Sequence, residues 1–252
     1  MSAPLWVVEA AAAFWRAAGA EEPFPRALEA AIAWAAPLSI VQLPRLRVAG
    51  VAAWLTARGG GELVTVPDRA LRACLVAHRG HGFVFLDADD PPDEQRFSLA
   101  HELAHFLHDY QQPRERAVAR LGPAVLEVLD GARPPTATER IDALLARVEL
   151  GPHVHFMERT EDGHPAHHVI SAAERAADQL AFELLAPEEA VRAAAMARGR
   201  PWTIDALAAL LIAVFGLPPT PARQYAALLA PAPPPPDPLL RRLGLAPTEE
   251  RR

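Results

Sequence analysis

His101, Glu102 and His105 form a His-Glu-x-x-His run inside the longer stretch Arg96-Phe97-Ser98-Leu99-Ala100-His101-Glu102-Leu103-Ala104-His105-Phe106-Leu107-His108. On an α-helix, residues four apart differ by only about 40° of rotation, so His101 and His105 present their imidazoles to one point, where a metal ion could be held. Glu102 lies about 100° further round from His101, which lets its carboxylate reach an attacking water from the side without taking a coordination position. That combination suits metal-assisted hydrolysis with Glu102 as base. A hydrolytic zinc site takes three protein ligands and keeps one position open, so two histidines require a third donor. Glu174 offers one. It lies near the start of a second helix whose apolar stripe uses Ala177, Leu180, Ala181, Leu184 and Leu185. Asp178, one turn further on, is the candidate to hold the free ring nitrogen of a ligating histidine. Ser171-x-x-Glu174 is also a capping box, in which the glutamate only satisfies a backbone amide, but a two-histidine helix in need of a partner favours ligation.

Several elements must position these groups. Pro91, Pro92, Asp93 and Glu94 mark a helix start, and Leu99, Leu103, Phe106 and Leu107 supply an apolar side, which predicts an amphipathic helix from Asp93 or Ser98 to Asp109. Leu46 to Leu55, Glu62 to Val66 and Phe83 to Leu86 read as strands of a small sheet beside it. Gly82 to Asp87 is the candidate edge on which an extended substrate would pair. Residues 5 to 36 read as two helices broken at Glu22-Pro23-Phe24-Pro25. Further helices are expected near 114–129 and 138–148. A β-hairpin about Asp162-Gly163 follows, carrying His153, His155, His164, His167 and His168 toward Glu174. A histidine or tyrosine near such a site often stabilises the oxyanion, and the sequence singles out none of the five. His108 reads as a pocket or packing residue, since a metzincin would need glycine there and histidine at 111, where this chain has Gln111.

Past Pro187 a helix runs to about Arg198, followed by Thr203 capping Ile204 to Phe215, Gly216 as terminator, and a last helix to Ala230. The final pair resembles a helix-turn-helix, but Arg223 is the one cation of its second helix, which favours packing or protein docking over groove binding. The segment from Pro231, with four consecutive prolines, reads as an extended tail.

Composition bounds the function. With 252 residues, 51% of them hydrophobic and rich in alanine, the chain suits a helical core with a small sheet. A net charge of −6 argues against a broad phosphate-binding surface, so nucleic acid is not the expected partner. The single cysteine, Cys74, forms no intrachain disulfide, reads as a buried small hydrophobe and fits a reducing cytoplasm. The N-terminus lacks a basic leader, and the most apolar run, Ala206 to Leu217, falls short of the about 20 residues that span a membrane.

Together, the block around His101 and the block Glu174-x-x-Ala177-Asp178-x-Leu180-Ala181-x-x-Leu184-Leu185-x-Pro187 resemble the ImmA/IrrE family of bacterial metallopeptidases, in the family's order. The resemblance implies a zincin fold in which His101, His105 and Glu174 bind one Zn²⁺, or another divalent ion, with Glu102 as the base. It also implies a protein substrate, a helix-turn-helix repressor cut to release stress-response or mobile-element genes. Three departures stand out: Leu180 where the family commonly has Phe, a long stretch between His105 and Glu174, and a chain end too early for the sensor domain of radiation-response members. The expected fold is α+β and mainly helical. Its divisions are a zincin-like domain at 1–199 with an insertion at about 111–170, a helix-turn-helix-like region at 200–230 and a flexible tail at 231–252. The rival readings are a metal-braced regulator that sequesters a repressor uncut, a component of a two-gene toxin-antitoxin system, and a DNA binder acting through the C-terminal helices.

Overall fold

The computed structural model describes residues 3–19, 23–60, 64, 66–137, 139–140, 152–159, 172–199 and 202–230. Among them the chain is mainly helical, with a four-stranded mixed sheet: β1 (Leu38–Leu43), β2 (Leu71–His78), β3 (His81–Asp87) and β4 (His153–Glu158). The strand order is β1-β3-β2-β4, with β1 parallel to β3 and both β3 and β4 antiparallel to β2. The expected substrate edge at Gly82 to Asp87 is therefore corrected, because β3 lies between β1 and β2 with both sides paired. The edges of the described sheet are β1 and β4.

Each face of the sheet carries its own core. Cys74, Val76 and Phe85 meet Val48, Val51 and Leu55 of α3 (Val48–Thr56), while Ala73, Leu75, Ala77, Val84 and Leu86 face Leu99 and Leu103 of α4 (Pro92–His105). That two-sided burial explains two corrections to the sequence reading. β2 is buried along both faces and lacks the polar alternation of a half-buried strand, so its pattern did not stand out. Leu46 to Leu55 is mostly helix because Val48, Val51 and Leu55 recur at the spacing of one helical face, which outweighs their strand preference. Gly82 of β3 lets the ring of Phe106 approach closely, since a Cβ there would sit 2.9 Å from ring carbons.

α4 begins with Pro92 at its first turn and Asp93 and Glu94 beside the positive helix end. From Phe97 to His105 every residue is buried, so this half is surrounded rather than amphipathic. The helix continues through a π-helical turn, Phe106–Gln111, into α5 (Gln112–Leu121), and Gly122, at φ +82°, breaks it before α6 (Val125–Leu129). α7 (Ala172–Leu185) packs along α4, with α1 (Leu5–Ala18) against its other side; α2 (Leu28–Ala35) joins α1, and the Trp15 indole N–H donates to the Leu184 carbonyl at 3.1 Å.

α8 (Glu188–Ala197), α9 (Ile204–Phe215) and α10 (Pro219–Leu229) complete the described chain. The Thr203 hydroxyl accepts from the Ala206 amide at 3.2 Å, and Gly216 ends α9 in the left-handed region at φ +64°, as the sequence predicts. Tyr225 of α10 stacks on Phe182 of α7 at 4.5 Å between ring centres, which packs the last helix on α7, and at the surface Arg223 pairs with Asp205 at 3.1 Å. The Arg96 guanidinium of α4 donates to the Gly216 carbonyl and so ties α4 to the end of α9. Gly216→Ala would place a Cβ in the left-handed region and against that guanidinium. We expect it to lower unfolding stability by about 1–2 kcal/mol, read by denaturant titration.

Ser171, most of the predicted helix 138–148, the Asp162-Gly163 turn with His164, His167 and His168, three residues of the Glu62–Val66 strand and the tail from Pro231 lie outside the described residues. Cys74 is fully buried, as expected. No described helix is long and apolar enough to cross a membrane.

Candidate metal centre

The packing of α4 on α7 brings the two sequence blocks to one place. His101 Nε2 and His105 Nε2 lie 3.1 Å apart, as two imidazoles one turn apart on a buried helix must when both face the same way. Glu174, in the first turn of α7, sets Oε2 at 3.5 Å from His101 Nε2 and Oε1 at 3.7 Å from His105 Nε2. Donors 2.0–2.2 Å from a tetrahedral zinc stand about 3.3–3.6 Å from one another, and these separations, the two to Glu174 running to its different oxygens, lie near that figure.

Hydrogen bonding at the far side of each ring fixes which atom faces inward. His101 Nδ1 is 3.0 Å from Asp178 Oδ1, and His105 Nδ1 is 2.7 Å from Asp109 Oδ2. Ionised carboxylates only accept, so each Nδ1 is the donor, and a neutral ring then turns its Nε2 lone pair toward the other histidine. Two lone pairs at 3.1 Å repel unless a proton or a metal ion lies between them. The charge balance points the same way, because Glu102, Asp109, Glu174 and Asp178 all contact the three imidazoles of His101, His105 and His155. His101, His105, His155 and Glu174 form a group able to hold a metal ion, with candidate ligand atoms all within 4.8 Å of one another.

Protonation follows from the same contacts. Burial opposes charge on His101, but the hydrogen bonds to Asp178 and Glu174 outweigh it and raise its pKa to about 9. His155 is likewise opposed by burial and lifted by Glu102 and Glu174 to about 10. Burial lowers His105, with Asp109 pulling the other way. Hydrogen bonds to His101 and His155 hold the Glu174 carboxyl well below the usual carboxylate range. Glu102 is lowered too: burial favours its neutral form, and the charge of His155 beside it prevails. The proposed base is therefore ionised, as it must be to accept a proton.

Glu102 is 0% exposed. Its Oε2 lies 2.9 Å from His155 Nδ1, and its Oε1 has no hydrogen-bond partner among the described residues. A carboxylate oxygen both buried and orphaned is costly unless a group beyond the described residues completes it. A water bound to an ion held by the histidines would meet that need.

Asp109 and His155 were not singled out by the sequence. Asp109 repeats the four-residue step from His105, the same spacing that separates Glu174 from Asp178, so the signal was present. His155 needed the strand register. On β4, Val154 and Phe156 pack toward α3 and Met157 toward the opposite core, which leaves His153, His155 and Met157 on the α4 face. His108, 2.6 Å from the same Asp109 carboxylate and 4.6 Å ring to ring from Trp6, is a packing residue at the rim.

Asp178→Asn and Asp109→Asn each weaken the anchor of one ligating ring. Metal affinity, measured by competition with a chromophoric chelator, is expected to fall about 10–100-fold in each. Unchanged affinity in both would remove these carboxylates from the site's support.

Residues 67–124 match the family model Peptidase_M78, described as an IrrE N-terminal-like domain; they take in β2, β3, α4 and α5, with His101, Glu102 and His105. No curated protein and no solved structure matches the chain.

Proposed function

An IrrE N-terminal-like domain over residues 67–124 supports membership of the ImmA/IrrE family, and on that premise we propose that this chain is a zinc-dependent endopeptidase acting on a helix-turn-helix repressor. The observation that carries the hydrolytic part is the convergence of His101, His105 and Glu174 beside a fully buried Glu102 with one oxygen left free. Two imidazoles and a carboxylate form a donor set of the kind zinc takes in hydrolytic sites. When bound, the ion supplies a Lewis acid that polarises the scissile carbonyl and acidifies the attacking water. The protein does the rest. Asp178 and Asp109 hold the two histidine rings in orientation, and Glu102 Oε1 takes a proton from the water as its oxygen bonds to the carbonyl carbon. Glu102 then returns that proton to the departing amine nitrogen as the C–N bond breaks.

The repressor substrate rests on the family resemblance, as does derepression of stress-response or mobile-element genes. A cytoplasmic location is part of the same proposal and is supported by a lone, buried cysteine. The test is to incubate the zinc-loaded protein with a helix-turn-helix repressor encoded beside its gene, with and without chelator. Metal-dependent fragments support the reading. An intact, stable complex that forms regardless of time favours sequestration, and neither fragments nor complex removes that repressor as the target.

A further inference from the structure

We propose that His155 is a positioning residue that holds the base Glu102 and the metal ligand Glu174 to a common strand, and that it is not itself a metal ligand. The proposal rests on the hydrolytic reading for its kinetic consequence and on geometry alone for its structural one.

The imidazole of His155 bridges two carboxylates. Nδ1 is 2.9 Å from Glu102 Oε2, and Nε2 is 3.1 Å from Glu174 Oε1. Because an ionised carboxylate has only lone pairs to offer, the ring is the donor at each contact. The first bond has a direct consequence for the reaction: it occupies one oxygen of Glu102 and so fixes which of the two, Oε1, is presented bare. Without it the carboxylate would rotate about its last torsion, a broad and roughly two-fold one.

Its proximity to the histidine ligands raises the alternative that His155 ligates as well, and the ring stacking argues against this. His155 lies over His105 with ring centres 3.7 Å apart and planes inclined by only 24°. A ligand lone pair lies in the plane of its ring. Both ring nitrogens of His155 are, moreover, already used as donors to Glu102 and Glu174, which leaves no lone pair for an ion. Zinc would require a nitrogen within about 2.1 Å and in plane.

The backbone that carries His155 is held at both neighbours. β4 pairs with β2, placing His155 opposite Leu75, and at the strand's end Arg159 Nη2 donates to both carboxylate oxygens of Asp90, in the loop that leads into α4. The strand and the active-site helix are thus locked to each other, which is what a positioning group needs.

The test combines ring nitrogen NMR with kinetics. In the zinc-loaded wild-type protein, labelled with ¹⁵N histidine and assigned by the signal lost in His155→Phe, neither nitrogen of His155 should show the shift of a metal-bound nitrogen, and Nδ1 should carry a hydrogen. A metal-shifted nitrogen at His155 overturns the proposal outright. In turnover, His155→Phe should bind one equivalent of zinc and lose about 10–100-fold in kcat with KM little changed. His155→Asn, whose amide N–H can replace Nδ1–H toward Glu102, should recover most of that loss, whereas His155→Gln, which reaches instead toward Glu174, should not. Equal kcat in the Phe and Asn variants would overturn the link to Glu102. Should the wild-type protein cut nothing while both nitrogens of His155 remain unligated, the hydrolytic reading falls and the bridging place of His155 stands.

Discussion

Glu102→Gln should bind zinc as tightly as the wild-type protein, melt slightly below it, and lose about 10²–10⁴-fold in kcat. The isosteric amide keeps the packing of a residue that is surrounded on all sides. It can also still accept from His155 Nδ1 through its carbonyl oxygen. What it cannot do is take a proton at the position of Oε1, the atom with no partner among the described residues. Stability should fall slightly, because the lowered pKa of Glu102 means that pairing with His155 outweighs the cost of burying its charge, and the neutral amide forfeits that pairing. The three measurements are metal stoichiometry, thermal unfolding and turnover on a cleaved substrate. A variant cutting at the wild-type rate would take Glu102 out of the mechanism and with it the account of why one of its oxygens is left bare.

How far the site could be read from the chain depended on whether the information was local. His101, Glu102 and His105 are specified by spacing on one helix, so their mutual geometry follows from the sequence alone. Glu174 and Asp178 could be paired with them only by asking what a two-histidine site lacks, and the packing of α4 on α7 brings both into contact with it. His155 was hidden among five histidines of one segment because the property that selects it, its register against β2, is non-local. The sheet was misread for a related reason. β2 is covered on both faces, and β3 is paired on both sides and mostly buried; such burial erases the alternation that marks a strand with a wet face, and over Leu46 to Leu55, read as a strand, the helical spacing of Val48, Val51 and Leu55 prevails. Helix ends fared better. Thr203 and Gly216 act through contacts within a few residues and sit where their chemistry requires.

Glu174→Gln separates the two roles this residue could have, and its effect should be large. Glutamine serves a capping box about as well as glutamate, so if residue 174 only satisfied a backbone amide at the start of α7, the substitution would leave metal binding untouched. If it ligates, the loss of a full negative charge opposite two imidazoles should weaken zinc by on the order of a hundredfold or more, beyond what loss of a supporting carboxylate costs. The geometry favours the second outcome: the two oxygens of Glu174 face His101 Nε2 and His105 Nε2 at 3.5 and 3.7 Å. Thermal unfolding reads the same difference without any substrate. Zinc at about 1,000 times its dissociation constant stabilises a folded protein by about 4 kcal/mol, so the wild-type melting temperature should rise on adding the ion and fall back with chelator. The Gln variant should show little of that rise at the same zinc concentration. Equal zinc-dependent stabilisation of the two proteins would return Glu174 to a capping role and leave His101 and His105 short of the third donor that a hydrolytic site needs.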